Sequence, residues 1–273
     1  MHPVSVIIRQ MTQPKIVMTF AGHDPTGGAG IQADIETLAS HDCHAAAVIT
    51  ALTVQDTQDV ARFTALEADA VTAQAEAVLA DMPVCAFKIG MLGSAANARA
   101  IHNILQQYPD IPLVLDPVLA SGNGTRLGDP QLLDAISTLL LPRATVVTPN
   151  SPEARALVPT ANTLDECAVT LLAQGAEFVL ITGTHEDSPH VVNSLYQGEQ
   201  LLETFTWERL PHSYHGSGCT LAASITGMMA RGLDPFHAIS EAQEFTWNAL
   251  QAGYRPGKGQ HLPDRMFWTK ADT

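Results

Sequence analysis

The chain has 273 residues, of which 46% are hydrophobic, and this is enough for one large α/β domain or two small ones. Its formal net charge of −14 argues against nucleic acid or an anionic membrane as the main partner. No apolar run is long enough to span a bilayer. The 4 cysteines lack the CxxC spacing of a zinc site or redox pair. We therefore expect a cytoplasmic protein.

The predicted elements alternate between strand and helix. Residues 1–14 lack a signal-peptide cleavage site and are predicted to be a poorly ordered N-terminal extension of one domain, residues 15–273. Hydrophobic, β-branched runs predict buried strands at residues 16–21, 45–53, 85–89, 113–115, 145–148 and 178–182. Helices are predicted at residues 30–40, 66–80, 95–107, 131–140 and 164–174. A predicted antiparallel pair, 191–196 and 201–207, is followed by helices at 219–231 and 235–252.

This alternation predicts an α/β fold, a three-layer α/β/α sandwich with a mostly parallel central sheet. In such sheets, ligands bind beyond the carboxyl ends of the strands, so the residues that follow each strand are the candidate site residues.

The first predicted strand leads into a long glycine-rich loop, AGHDPTGGAGIQAD, at residues 21–34. Gly28, Gly30 and Ala33 fit the dinucleotide fingerprint GxGxxG/A. Against a nicotinamide or flavin site, Asp24 is badly placed beside a pyrophosphate, and the second strand ends without an acidic residue for a ribose. A second glycine-rich segment, near residue 216, is also a candidate anion site, and it would have no role in a dehydrogenase.

Two later strand ends favour phosphoryl transfer. Asp116 follows a buried strand, where a carboxylate needs a partner such as a metal ion. Asn150 and Glu153 have the spacing of a helix capping box, which would leave Glu153 near the same sheet edge as Asp116. Magnesium is usually bound by one or two carboxylates, waters and substrate phosphates, so Asp116 and Glu153 are candidate Mg²⁺ ligands.

The segment YHGSGCT, residues 214–220, precedes an apolar run that predicts a helix. A glycine-rich loop at a helix N-terminus directs backbone N–H groups and the helix dipole at an anion, typically a phosphate. The same end is expected to lower the pKa of the Cys219 thiol. The alternative is a structural cap, with Ser217 as N-cap and Cys219 as a small buried filler.

Taken together, these blocks resemble the hydroxymethylpyrimidine/phosphomethylpyrimidine kinases of thiamin biosynthesis, in the ribokinase-like superfamily. The resemblance covers residues 16–261 and rests on AGHDPTGGAGIQAD, ITALTVQDT, KIGMLG, TPNSPEA and HGSGCT. It implies a ribokinase-like homodimer that acts on small molecules. It also implies transfer of the γ-phosphoryl group of MgATP to the hydroxymethyl group of the aminopyrimidine and then to the resulting monophosphate.

By the same resemblance, Gln55 hydrogen-bonds the pyrimidine ring, a task that suits an amide because it both donates and accepts. Asp34, Gly22 and Met91 correspond to family positions at the substrate. Asp24 is a further candidate there, although it could equally organise the loop.

At the phosphate end, the resemblance assigns Gly216, Ser217 and Gly218 to the anion hole. Cys219 takes the place of the aspartate base of sugar kinases. Asn150 and Glu153 match the family's NxxE element near magnesium and phosphate, and Lys88 is either a phosphate ligand or a core-edge residue.

The sequence departs from the family at two places. His23 stands where serine or threonine is common, and Thr182-Gly183-Thr184-His185 replaces the usual lysine-glycine-glycine-histidine. A cation near the nucleotide phosphates is therefore missing, although Thr182 can still donate a hydrogen bond.

Two alternatives remain open. A pyridoxal or pyridoxine kinase on the same fold would also present a hydroxymethyl group to a similar pocket. A catalytically silent ligand-binding relative is the other alternative, against which the intact Cys219, Asn150 and Glu153 argue.

Overall fold

The computed structural model describes residues 13–122 and 124–270. Its strands are β1 Lys15–His23, β2 Cys43–Gln55, β3 Val60–Ala65, β4 Val84–Ile89, β5 Leu113–Leu115, β6 Val146–Val147, β7 Phe178–Ile181, β8 His190–Gln197 and β9 Gln200–Glu208. The α-helices are α1 Gly30–Ser40, α2 Ala68–Leu79, α3 Ala95–Leu105, α4 Leu132–Ala135, α5 Ser151–Leu157, α6 Leu164–Ala173, α7 Ser217–Ala230 and α8 Pro235–Gln251.

The strands form one sheet in the order β3-β2-β1-β4-β5-β6-β7-β8-β9. The six strands from β2 to β7 in this order are parallel to their neighbours. β3 pairs antiparallel with β2 at one edge, and β8 and β9 form the predicted antiparallel pair at the other. The mostly parallel sheet is therefore confirmed. Sequence reasoning missed β3, because this edge strand is largely exposed and lacks a hydrophobic run.

Alternate residues of the central strands pack on opposite faces of the sheet. Met18 and Phe20 share a core with residues of α2, α3, α4, α5 and α6. Val17 packs with residues of α1 and α7, and Leu180 packs against α7 and α8. Helices therefore cover both faces, as the α/β/α sandwich requires.

Some predicted bounds differ from those observed. The helix predicted at 131–140 is α-helical only over Leu132–Ala135 and continues as a π-helical turn over Ile136–Leu140. The predicted N-terminal extension, residues 1–14, lies outside the described residues except for Gln13 and Pro14. Within the described part of the chain, no helix is both long enough and apolar enough to cross a membrane.

Candidate active site

A cavity of about 610 Å³ gathers residues from the carboxyl ends of the parallel strands and from the start of α7. Most of the predicted site residues line it: Gly22, Asp24, Gln55, Met91, Asp116, Asn150, Glu153, Thr182, Gly216, Ser217, Gly218 and Cys219. Its volume lies within the range typical of small-molecule sites. Two predicted residues, Asp34 and Lys88, lie outside this lining.

The two glycine-rich loops touch each other at the cavity. Gly216 is the N-cap of α7, with φ +85°, and no side chain caps the helix, so the alternative in which Ser217 is a structural N-cap is wrong. A Cβ at Gly216 would lie 1.8 Å from the carbonyl oxygen of Gly28, so only glycine allows this approach. Without a side-chain cap, the first-turn N–H groups of α7 are available to an anion.

Asp24 connects these loops. Its carboxylate accepts hydrogen bonds from the backbone N–H of Thr26 and of Ala29, both at 2.8 Å, and lies 2.8 Å from Nε2 of His215. Burial raises the pKa of Asp24, but the hydrogen bonds from His215 and Thr26 outweigh it, and the pKa is lowered. Asp24 thus organises the first loop, which was one of its two predicted roles. His215 was not predicted, although it immediately precedes Gly216.

Asp34 and Lys88 form a buried ion pair behind the cavity. Lys88 Nζ lies 2.9 and 3.1 Å from the two carboxylate oxygens of Asp34, which also accepts a hydrogen bond from Thr19. Both charged side chains are 0% exposed. The structure therefore does not support Asp34 as a direct substrate ligand or Lys88 as a phosphate ligand, because neither side chain reaches the cavity.

Lys88 nevertheless acts on the site through its charge. Burial alone would lower the pKa of this amine, but Asp34, and then Cys219 and Asp116, favour the charged form and raise it. The Lys88 ammonium group thus places a positive charge behind Cys219 and Asp116.

Cys219 lines the cavity but differs electrostatically from the sequence prediction. Burial raises the pKa of its thiol to about 11, and Asp116 and Asp34 add to the increase. Lys88 and the backbone N–H of Gly30 oppose this increase without overcoming it. The predicted lowering of the pKa is therefore wrong, because burial and the carboxylates outweigh the effect of the helix terminus.

The predicted capping box at α5 is present. The Asn150 side chain accepts a hydrogen bond from the Glu153 backbone N–H at 2.9 Å, and Glu153 accepts one from the Asn150 N–H at 3.0 Å. Burial and the nearby Asp116 raise the pKa of Glu153, and burial also raises that of Asp116. The two carboxyl groups are thus close enough to interact, as the sequence predicted. Glu153 both caps the helix and faces the cavity.

This carboxyl pair fits a divalent cation that keeps part of its own ligand shell. A third polar group is nearby in the cavity, since Thr148 is only 6% exposed and its Oγ1 has no hydrogen-bond partner among the described residues. No cluster of three or more His, Cys, Asp or Glu side chains suited to a metal occurs in the described ranges. Two carboxylates completed by waters and phosphate oxygens suit Mg²⁺ better than an ion that needs an all-protein cage.

One end of the cavity is lined by residues of β1 and β2. A Cβ at Gly22 would lie 2.9 Å from Sδ of Met91, so the glycine makes room for that side chain. Gln55 closes the same wall, and its Nε2 donates to Oγ1 of Thr53 at 2.8 Å. The carbonyl oxygen of the Gln55 amide can therefore accept from a ligand.

The opposite end is formed by residues that follow β7 and β9. Thr182, Thr184, His185 and Arg209 line it. The Thr182 carbonyl accepts a hydrogen bond from the Ser151 backbone N–H at 3.2 Å, which joins this end to the start of α5. Sequence reasoning did not find Arg209, because it lies in no recognisable motif.

Comparisons with known proteins agree with this geometry. A family model described as phosphomethylpyrimidine kinase matches residues 24–264. A hydroxymethylpyrimidine/phosphomethylpyrimidine kinase of Synechococcus elongatus is 38% identical over 252 residues, covering 90% of this chain and 95% of that protein. The structure of pyridoxal kinase from Staphylococcus aureus in complex with ADP has a TM-score of 0.86 at 30% identity and covers 94% of this chain and 96% of that one. The structure of a phosphomethylpyrimidine kinase from Clostridium difficile has a TM-score of 0.74 at 32% identity and covers 85% of this chain and 97% of that one.

Proposed function

The chain belongs to the phosphomethylpyrimidine kinase family and is a phosphotransferase, and from this premise we propose its substrates. It transfers the γ-phosphoryl group of ATP to 4-amino-5-hydroxymethyl-2-methylpyrimidine and then to the monophosphate, as in thiamin biosynthesis. The observation that carries this proposal is that one cavity is lined both by Gln55 and by the uncapped start of α7.

In the proposed reaction, the protein mainly positions the reactants and stabilises charge. Gln55 and Met91 orient the ring, so that its hydroxymethyl group points toward Cys219. Backbone N–H groups at residues 216–219 bind the transferred phosphoryl group, aided by the dipole of α7. Cys219 accepts the hydroxyl proton, and the charge of Lys88 favours the thiolate that this requires.

Asp116 and Glu153 are the residues that would hold Mg²⁺, with Asn150 beside the phosphates. Mg²⁺ held there would neutralise phosphate charge. The capping box fixes the Glu153 side chain relative to α5 and would therefore hold its carboxylate in place for the ion.

Changing Glu153 to glutamine tests this assignment. The amide oxygen can still accept from the Asn150 N–H, and a neutral amide suits a buried position, so the melting temperature without metal should change by less than about 2 °C. Loss of the carboxylate should lower activity and raise the Mg²⁺ concentration needed for half-maximal rate. In the wild type, MgADP should raise the melting temperature more than it does in the variant. A destabilised variant with an unchanged Mg²⁺ requirement would leave Glu153 as a helix cap only.

Changing Gln55 to leucine tests the proposal that Gln55 binds the pyrimidine ring. Leucine keeps the volume but leaves polar ring edges without partners, which costs about 1–3 kcal/mol of binding. The KM for the pyrimidine should rise at least several-fold, while the KM for ATP stays unchanged. Gln174→Leu is a matched control, since Gln174 is an exposed residue outside the cavity lining. Pyrimidine kinetics unchanged by Gln55→Leu would remove this residue from the substrate site.

An ATP-consumption assay with hydroxymethylpyrimidine and pyridoxal, run side by side, tests the substrate assignment. The high structural similarity to a pyridoxal kinase makes pyridoxal the second candidate. We expect a higher kcat/KM with the pyrimidine, and the monophosphate should also be consumed. Faster turnover of pyridoxal would reverse the assignment, and no turnover of either would favour a silent binding protein.

The proposal extends to the protein's organisation. We propose that residues 15–273 act as one catalytic unit, in the cytoplasm, and that the protein forms a homodimer. Light scattering should then give a mass of about twice the 29.1 kDa of one chain. A mass equal to one chain would contradict the dimer.

A further inference from the structure

Arg209 directly follows β9 and faces residues 183–190, which we call the β7–β8 segment. Its guanidinium donates hydrogen bonds to four backbone carbonyl oxygens of this segment, those of Thr184 (2.9 Å), Glu186 (3.0 Å), Ser188 (2.9 Å) and His190 (3.5 Å). The planar, five-donor guanidinium suits such a spread of acceptors, whereas an ammonium group donates from a single nitrogen. Arg209 therefore fixes the path of the whole segment.

The β7–β8 segment forms part of the cavity wall. Thr184 and His185 of the segment line the cavity. Just before it, the Thr182 carbonyl accepts from the Ser151 N–H in the first turn of α5. The position of the segment is thus linked to the helix whose capping box holds Glu153.

Arg209 also matters because the cavity is lined mainly by acidic charged groups. Four carboxylates line the cavity, at Asp24, Asp116, Glu153 and Glu208. Of the lysines and arginines in the described part of the chain, only Arg209 lines it. Carbonyl oxygens carry partial negative charge and repel phosphate, and Arg209 binds four of them. Thr184 of this segment and Thr182 just before it line the cavity and carry hydroxyl groups, which can donate to a phosphate.

We propose that Arg209 is the positioning residue for the phosphate groups of the nucleotide, acting through the β7–β8 segment. Thr182 is neutral and stands where the family usually has a lysine, so Arg209 supplies the positive charge on this side of the cavity. This inference rests on the proposed function, since it requires a nucleotide in the cavity.

The test is the affinity for ADP in the presence of Mg²⁺, measured by calorimetry, together with the KM of each substrate. Arg209→Met keeps much of the side-chain length but removes the charge and the donors. It should raise the Kd for ADP and the KM for ATP by roughly tenfold or more, since charge-assisted hydrogen bonds are lost. The KM for the pyrimidine should stay within about twofold, because the substrate end is separate from the segment.

Arg155→Met is the matched control. Arg155 also binds the β7–β8 segment, through the Glu186 side chain at 2.9 Å, but it is half exposed and lies outside the cavity lining. It should leave the ADP affinity within about twofold of wild type, since exposed ion pairs contribute little. Equal effects of Arg155→Met and Arg209→Met would overturn the proposal.

Arg209→Lys distinguishes the role of the planar guanidinium from the role of the positive charge. It also provides a test if Arg209→Met does not fold. Lysine keeps the charge but cannot reach all four carbonyls, so the KM for ATP should rise by roughly three- to tenfold, a partial rescue. Wild-type ADP affinity in Arg209→Lys or Arg209→Met would overturn the positioning role. Failure of the wild type to bind ADP at all would instead count against the proposed kinase function.

Discussion

Replacing Cys219 by alanine is expected to lower kcat by about 10²–10⁴-fold, the usual contribution of a general base. The backbone N–H groups at the start of α7 remain in place, so the KM for both substrates should stay near the wild-type value. Cys219→Asp should recover part of the rate, since a carboxylate can accept the same proton. Steady-state kinetics of the three proteins with saturating MgATP measure these effects.

The same prediction has a pH signature. Because burial raises the pKa of the Cys219 thiol to about 11, little thiolate is present at neutral pH. A rate that needs the thiolate should rise by roughly tenfold per pH unit between about pH 7 and 9. The rate of Cys219→Asp should rise less steeply over this range, because a carboxyl group ionises at lower pH than a thiol in the same surroundings.

Cys85→Ala serves as the control for loss of a thiol, since Cys85 is partly buried and lies outside the cavity lining. It should leave kcat unchanged. If Cys219→Ala kept more than about a third of the wild-type kcat, well inside the expected base effect, the thiol would be a bystander. The backbone of residues 216–219 would then account for the catalysis.

Replacing Lys88 by methionine is expected to lower the free energy of unfolding by about 3–5 kcal/mol. The change leaves the Asp34 carboxylate buried without its cation, and both side chains are 0% exposed in the native protein. Urea unfolding measures the loss, and the melting temperature should fall by on the order of 10 °C. Activity should fall as well, because the positive charge behind Cys219 is lost.

The double variant Lys88→Met/Asp34→Asn distinguishes an unpaired charge from a packing defect. Removing both charges should restore most of the stability, because a neutral amide no longer needs a buried cation. Arg155→Met, which breaks the exposed Arg155–Glu186 pair, should cost no more than about 1 kcal/mol. A Lys88→Met protein as stable as this control would mean that the buried pair contributes little.

Local patterns in the sequence predicted most of the fold. The apolar runs that became β1, β4 and β7 are buried on both faces, so their strand character is visible without any tertiary contact. The capping box at Asn150 and Glu153 was also predictable, because both of its hydrogen bonds lie within four consecutive residues. The position of site residues after strand ends follows from the parallel sheet itself.

Other features depend on contacts between distant parts of the chain. Lys88 and Asp34 are 54 positions apart, and His215 lies 191 positions from Asp24, so no local pattern pairs them. The sequence placed Asp34 at the substrate, whereas the tertiary structure buries it against Lys88. The helix N-terminus alone predicted a lowered pKa for Cys219, but burial and two carboxylates, Asp34 in α1 and Asp116 just after β5, reverse the direction.

Motifs, periodicity and helix caps depend on residues that are close together in the chain. For this reason the sequence by itself determined the strand–helix alternation, the sheet edge that carries the site and the family resemblance. Which charges face each other was decided by packing, because desolvation and Coulomb interactions depend on distance in space and on exclusion of water. For this reason Arg209, Thr148 and the Lys88–Asp34 pair emerged only from the tertiary structure.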